Sequence, residues 1–158
     1  MNMKKYFAKL FEYEFWANNK ILMHLEMNPP SKGITDLFSH MLADMKPWVM
    51  LLSKESVPDN MDCQPSWSIQ QCKKELEEVH AKICSYISSV TTLELENKIK
   101  SKGPSGQIFT NSVTEVLTHM ASHSQHHRGQ IEMLIKQEIG TYLSVGYMPY
   151  LRQEMYNT

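Results

Sequence analysis

Apolar side chains in this chain recur every three or four positions through four long segments, and that spacing is met by an α-helix and not by a strand. The first segment predicts a helix from about Met3 to Glu26. Its stripe is Tyr6, Phe7, Leu10, Phe11, Tyr13, Ala17, Ile21 and Leu25, and Pro29-Pro30 stops it. A second helix is expected from near Ile34 to about Ser53, with Leu37, Phe38, Met41, Met45, Trp48, Val49 and Leu52 turned inward. Pro47 inside it removes a backbone donor and predicts a kink. Residues 54–67, KESVPDNMDCQPSW, read as a loop. Ser68-Ile-Gln-Gln71 then fits a capping box that opens a third helix to about Ser89.

The stretch TTLELENKIKSKGPSGQIFT alternates and turns at Gly-Pro-Ser-Gly, which predicts an irregular or short hairpin-like segment. A second capping box, Ser112-Val-Thr-Glu115, launches the longest helix, with Gly140 as its C-terminal cap. The tail, TYLSVGYMPYLRQEMYNT, is expected to hold one short helix. No repeat, low-complexity tract or interdomain linker interrupts residues 1–158. The expected fold is therefore all-α: a single four-helix-bundle domain with a short extra C-terminal helix.

Charge and cysteine content narrow the function. A formal net charge of −1, with no long Lys/Arg cluster, lacks the electrostatic footprint of a nucleic-acid binder. No apolar run approaches the roughly 18 residues of a membrane span, and MNMKKYFAKLFEYEFW has no apolar core of a secretory signal. Cys63, Cys72 and Cys84 form no CxxC pair and leave one thiol over in any disulfide scheme, which suits a reducing, cytoplasmic setting. A metal bound by this chain is then a matter for histidine.

Four histidines fall within HMASHSQHHRGQI, residues 119–131. With His119 set at zero on a helical wheel, the apolar stripe lies at about 60° to 160°, His123 near 40°, His127 near 80° and His126 near −20°. His123 and His127 thus point at the interior or its rim, one turn apart, and His119 and His126 lean outward. Imidazoles at i and i+4 can converge on one ion at about 2.0–2.1 Å each. The HxxxH spacing is equally met by exposed or hydrogen-bonded histidines. His40 lies at the margin of the second helix's stripe and could complete a three-histidine set, which leaves a coordination position open; a half-buried histidine bonded to a carbonyl or water is the plainer reading. Asp44, one turn on, could ligate, orient His40 or simply be solvated.

Gln130 is placed to hydrogen-bond a ligand imidazole or to pack as an ordinary glutamine. Arg128, at the other edge of the stripe, reads as a structural salt bridge or interhelix contact in preference to an anion site. Gly129 in mid-helix costs about 1 kcal/mol relative to alanine, for which close helix packing is the simplest reason. Position 124 is serine, so the metalloprotease motif HExxH is absent, as are Gly-rich phosphate loops and the G-x-S-x-G elbow.

HMASHSQHHRGQIEMLIKQEIG, preceded by TNSVTEVL, closely resembles the final bundle helix of the DinB/YfiT-like family, with its histidine, three residues, then His-Arg-Gly-Gln. YEFWANNKIL and the pair His40 and Trp48 are similar to that family's first and second helices, in the same order. The resemblance implies a bundle holding a divalent metal through His40, His123 and His127, with no ligand role for His119 or His126. It further implies thiol S-transferase or isomerase chemistry with a low-molecular-weight thiol, and a homodimer built on an exposed face.

Two functions stay open at this level. One is a metal-dependent enzyme, transferase or hydrolase, acting on a small electrophilic substrate, with zinc or nickel as the expected ion. The other is a metal- or small-ligand-binding protein without turnover, since no general base is identifiable. An interaction protein with incidental histidines is a third.

Overall fold

The computed structural model describes residues 2–103 and 105–156. Met1, Pro104 of the Gly-Pro-Ser-Gly turn, Asn157 and Thr158, all within the expected 1–158 domain, lie outside them. Among the described residues five helices run in chain order: α1 (Met3–Met27), α2 (Lys32–Leu52), α3 (Ile69–Ser89), α4 (Val113–Glu138) and α5 (Tyr147–Tyr156). Between α3 and α4 come a 3-10 turn (Glu94–Glu96) and the strands β1 (Lys98–Lys102) and β2 (Ile108–Ser112). These strands form the expected hairpin, antiparallel, with Lys98 opposite Ser112 and Lys102 opposite Ile108.

Local chemistry sets the boundaries. Ser112 accepts from the Glu115 N–H at 3.1 Å and its own N–H donates to Glu115 Oε2 at 2.6 Å, so the box at the start of α4 closes in both directions. The box expected at α3 closes in one only. Ser68 accepts from the Gln71 N–H at 3.1 Å, but the Gln71 amide donates to Glu75 Oε1 at 2.7 Å instead of reaching back. Helix α2 continues through Pro47. At the end of α4, Gly140 takes a φ of +80°, the left-handed turn that glycine adopts without steric cost.

α1 and α2 each pack against both α3 and α4, so the order around the bundle is α1, α3, α2, α4. Two apolar clusters fill it. One gathers Ala17, Ile21, Leu25, Phe38, Met41, Ile131 and Ile135. The other gathers Phe7, Phe11, Met45, Val49, Ile83, Leu117 and Met120.

Between the two lies a polar layer. The seam of α1 runs Phe7, Phe11, Glu14, Asn18, Ile21 and Leu25, and both polar members are buried. On α4 the seam runs Val113, Leu117, Met120, Ser124, His127, Ile131 and Ile135. Arg128, 2% exposed, lies in this layer and donates to both oxygens of Glu14. It also reaches Asn18 Oδ1 at 3.3 Å, Ser124 Oγ at 3.1 Å and the Tyr13 hydroxyl at 3.2 Å. The Tyr13 hydroxyl donates on to the Val145 carbonyl at 3.1 Å, tying the segment before α5 to the same layer. Among the described residues no buried side-chain nitrogen or oxygen lacks a partner.

One expectation is corrected here. Gly129 does not serve close packing: a Cβ at that position meets nothing within 4 Å, and the residue is exposed. Arg128, its neighbour, is the residue that faces inward. No helix among the described residues is long and apolar enough to cross a membrane.

Candidate metal centre

The predicted histidines belong to two helices that pack directly on each other. His40 and Asp44 lie one turn apart on α2, His123 and His127 one turn apart on α4, and the α2–α4 contact brings the pairs together at the level of the polar layer. His127 is 8% exposed, and the other three are half-buried. His119 and His126 are exposed, as the wheel requires. His119 packs its ring against Trp48 (centroids 5.3 Å apart) and His123 (5.5 Å).

Four atoms converge. Asp44 Oδ2 lies 3.3 Å from His40 Nε2 and 3.5 Å from His123 Nε2, and His123 Nε2 lies 3.2 Å from His127 Nε2. Ligand atoms of His40, Asp44 and His127 all fall within 4.8 Å of one another. The rings of His40 and His123 stand farthest apart, with centroids at 6.4 Å.

The far side of two rings decides which nitrogen carries the proton. His40 Nδ1 is 2.6 Å from the Cys63 carbonyl oxygen, and His127 Nδ1 is 2.9 Å from Gln130 Oε1. Both oxygens can only accept, so both Nδ1 atoms donate and, in the neutral rings, both Nε2 atoms present lone pairs. His40 therefore aims a lone pair at a carboxylate oxygen, and His127 aims one at its neighbour's Nε2. The approach of His40 to Asp44 repels unless a cation or a proton lies between them, whereas His123 Nε2 can carry a proton and donate toward His127 and Asp44.

Bonds of about 2.0–2.1 Å to a tetrahedral ion put neighbouring ligand atoms about 3.3–3.4 Å apart. The three short separations, 3.2, 3.3 and 3.5 Å, bracket that value. His40, Asp44 and His127 fit a shared divalent cation, and His123 lies at that spacing from Asp44 and His127 but outside the group whose ligand atoms all fall within 4.8 Å of one another.

Electrostatics agree. Burial, and after it the charge His127 would carry, holds His123 below the usual 6.5, with the Asp44 carboxylate opposing. Burial also lowers His127, against the hydrogen bond to Gln130, which favours its protonated form. Rings kept neutral near pH 7 are rings available to a metal.

Gln130 thus falls behind His127 and hydrogen-bonds its imidazole. Asp44 stands level with the imidazole nitrogens and not behind them. The sequence reading did not find the Cys63 carbonyl, because loop geometry leaves no periodic trace. The Arg128 partner, Glu14, was legible in principle: it and Asn18 interrupt an otherwise apolar seam at the alternating four-and-three spacing.

Comparison with known proteins follows the same outline. The sequence pattern of the DinB family matches residues 1–149. The chain is also 27% identical over 150 residues to Protein DinB of Bacillus subtilis (strain 168), an alignment that covers 85% of this chain and 87% of the relative.

Proposed function

This chain belongs to the DinB family, and from that premise we propose that it holds a divalent cation through His40, His123 and His127 and uses it on a small electrophilic molecule, by thiol transfer or by hydrolysis. The observation that carries this reading is the pair of imidazoles whose protons are turned outward onto oxygen acceptors while their lone pairs meet beside a carboxylate. Zinc or nickel bound there would supply Lewis acidity that brings a water or a low-molecular-weight thiol toward its anion near neutral pH.

The chain's own groups do the rest. Asp44 Oδ2, half-exposed among the nitrogens, is placed to accept the proton that an entering nucleophile sheds. The Cys63 carbonyl and Gln130 hold two rings in one tautomer and one orientation, so that neither has to reorganise during the reaction. The exposed edges of His40 and His123 leave the centre reachable from solvent, and the Trp48 and His119 rings flank it on one side.

The deciding experiment is elemental analysis of protein purified without added metal, followed by a thiol-transfer and hydrolysis screen on stripped and reloaded protein. Metal near one equivalent, lost in His127→Ala, and turnover only in the loaded form are the expected results. A melting temperature unmoved by zinc or nickel, together with no retained metal, sinks the proposal.

One observation favours a second reading, a metal-binding protein without turnover. A cleft of about 1010 Å³ lies between the C-terminal ends of α2 and α3 and the hairpin, lined by residues such as Lys54, Lys82, Tyr86 and Lys98, and none of its lining residues belongs to the histidine cluster. Bound metal with no metal-dependent reaction across the screen would select that reading.

A further inference from the structure

The cleft of about 1010 Å³ beside the hairpin is positive in a chain whose formal net charge is −1. Lys54, Lys82, Lys98 and Lys100 line it against two carboxylates, Glu55 and Glu94, and both carboxylates are already engaged. Glu55 Oε1 lies 3.3 Å from Lys82 Nζ, and Glu94 Oε2 accepts from the Thr91 N–H and hydroxyl at 2.8 Å each. Those hydrogen bonds, and after them the charge of Lys54, hold the Glu94 carboxyl below the usual carboxylate range, yet Lys54 and Glu94 form no salt bridge.

Strand β1 reads Lys-Ile-Lys-Ser-Lys, and its pleat sets Lys98, Lys100 and Lys102 on one face, each about 7 Å from the next. Lys102 is matched by Asp59 at 2.8 Å. Lys98 stands 4.0 Å from Glu115 Oε2, which already accepts the Ser112 N–H. Lys100, between them, makes no salt bridge or side-chain hydrogen bond among the described residues. Lys54 is held in place against a backbone preference. It follows the end of α2 at φ +60°, the left-handed conformation that glycine adopts freely and lysine does not. Its N–H donates to the Leu51 carbonyl at 3.1 Å and the Glu55 N–H to the Met50 carbonyl at 2.8 Å, a helix-ending turn in which glycine is the usual residue.

The rest of the lining supplies apolar surface and a hydroxyl. Leu52, Val90 and Val113 are buried core residues that also line the cleft. Tyr86 is half-buried there, and its hydroxyl makes no hydrogen bond among the described residues. Burial, then the Glu94 charge, raises that phenol above its usual 10.0, so it stays a neutral donor.

We propose that this cleft binds a small organic anion, the ionised form of an organic acid with an apolar body. Lys54 and Lys100 meet the charged head, Tyr86 donates to it, and the body covers Leu52, Val90 and Val113. Cations gathered on one strand face and at one helix end repel until a counter-charge joins them, and a lysine ammonium is a point charge that takes carboxylate or phosphate alike. Apolar surface beside the charges adds affinity that an inorganic anion cannot use. The cleft shares no lining residue with the histidine cluster, so the inference stands independently of the metal centre.

The test uses the whole chain, as purified and again with EDTA. Calorimetry compares naphthoate with naphthalenemethanol, which keeps the rings without the charge, and with inorganic phosphate, which keeps the charge without the rings. Naphthoate is expected to bind at least about tenfold more tightly than either control, equally with and without EDTA, and more weakly as salt rises. In nitrogen-15 NMR spectra it is expected to shift the amides of Ser53, Lys54, Tyr86 and Lys100 and to leave those of His40 and His123 in place. Lys54→Gly relieves the left-handed lysine, so its urea midpoint is expected to match or exceed that of the wild type while affinity falls. With Lys100→Gln added, the loss of affinity is expected to reach about tenfold. Naphthoate that binds no tighter than the alcohol or phosphate, that ignores both substitutions, or that leaves the cleft amides unmoved overturns the inference. Binding abolished by EDTA puts the anion on a bound metal and overturns it equally.

Discussion

Arg128 Nη1 and Nη2 meet Glu14 Oε2 and Oε1 at 2.5 and 2.7 Å in the bundle interior, one residue after His127. The pair joins α1 to α4, while His127 sets its ring 4.9 Å from that of His40 on α2, so neighbouring residues of α4 face two different helices. Burial works against the guanidinium's charge, and the Glu14 hydrogen bonds and charge overcome it, so the Arg128 pKa is raised above that of a free guanidinium.

Breaking that pair on one side should be costly. Glu14→Gln leaves a buried guanidinium without its counter-charge, and a loss of about 3–5 kcal/mol is expected by urea denaturation. Replacing both partners, as in Glu14→Met with Arg128→Met, should recover much of the loss, because the desolvated charges go together. A single variant as stable as the wild type would contradict the buried geometry.

Metal affinity should grade with distance from the ion. His123→Ala and His127→Ala remove donors and are expected to abolish retained zinc. Gln130→Ala leaves the donors and frees the His127 ring, so affinity should fall by about 10–100-fold. Competition with a chromophoric chelator reads both effects. A Gln130 variant as weak as His127→Ala would mean that the amide does more than orient a ring.

Acid should destabilise the metal-free protein before it protonates ordinary carboxylates. His80, His123 and His127 all have pKa values lowered from 6.5, with burial the largest cause in each. Well above pH 6.5 both the folded and unfolded chains hold these rings neutral, and they contribute no pH dependence. As pH falls through 6.5 the unfolded chain takes up protons that the folded chain resists, so stability declines until the folded-state values are passed. A melting temperature that drops between about pH 7 and pH 5 in stripped protein is expected. A flat profile across that window would place the rings in water.

Gly129→Ala should stabilise. The position is helical and exposed, and a methyl group there meets open space. Relieving glycine's backbone entropy in a helix interior is worth about 0.5–1 kcal/mol, read as a rise in the urea midpoint. Destabilisation would show that something packs on this face of α4 in solution.

Helix content, most helix ends and the inward turn of His123 and His127 were legible in the chain, because a 3.6-residue period and end-capping chemistry act between near neighbours. The box at Ser112 and Glu115 closed as written for that reason, and the one at Ser68 half-closed because Glu75 competed for Gln71.

Periodicity places a residue on a face and says nothing about which face of another helix it will meet. That Asp44 stands among the imidazole nitrogens, that Glu14 receives Arg128, and that a loop carbonyl at Cys63 sets the His40 tautomer are all decided by the packing order α1, α3, α2, α4 and the path of the loop laid on α2. The contacts that cross between elements join positions 23 to 114 residues apart, and the Arg128–Glu14 pair is held together because the bundle interior offers its charges no water.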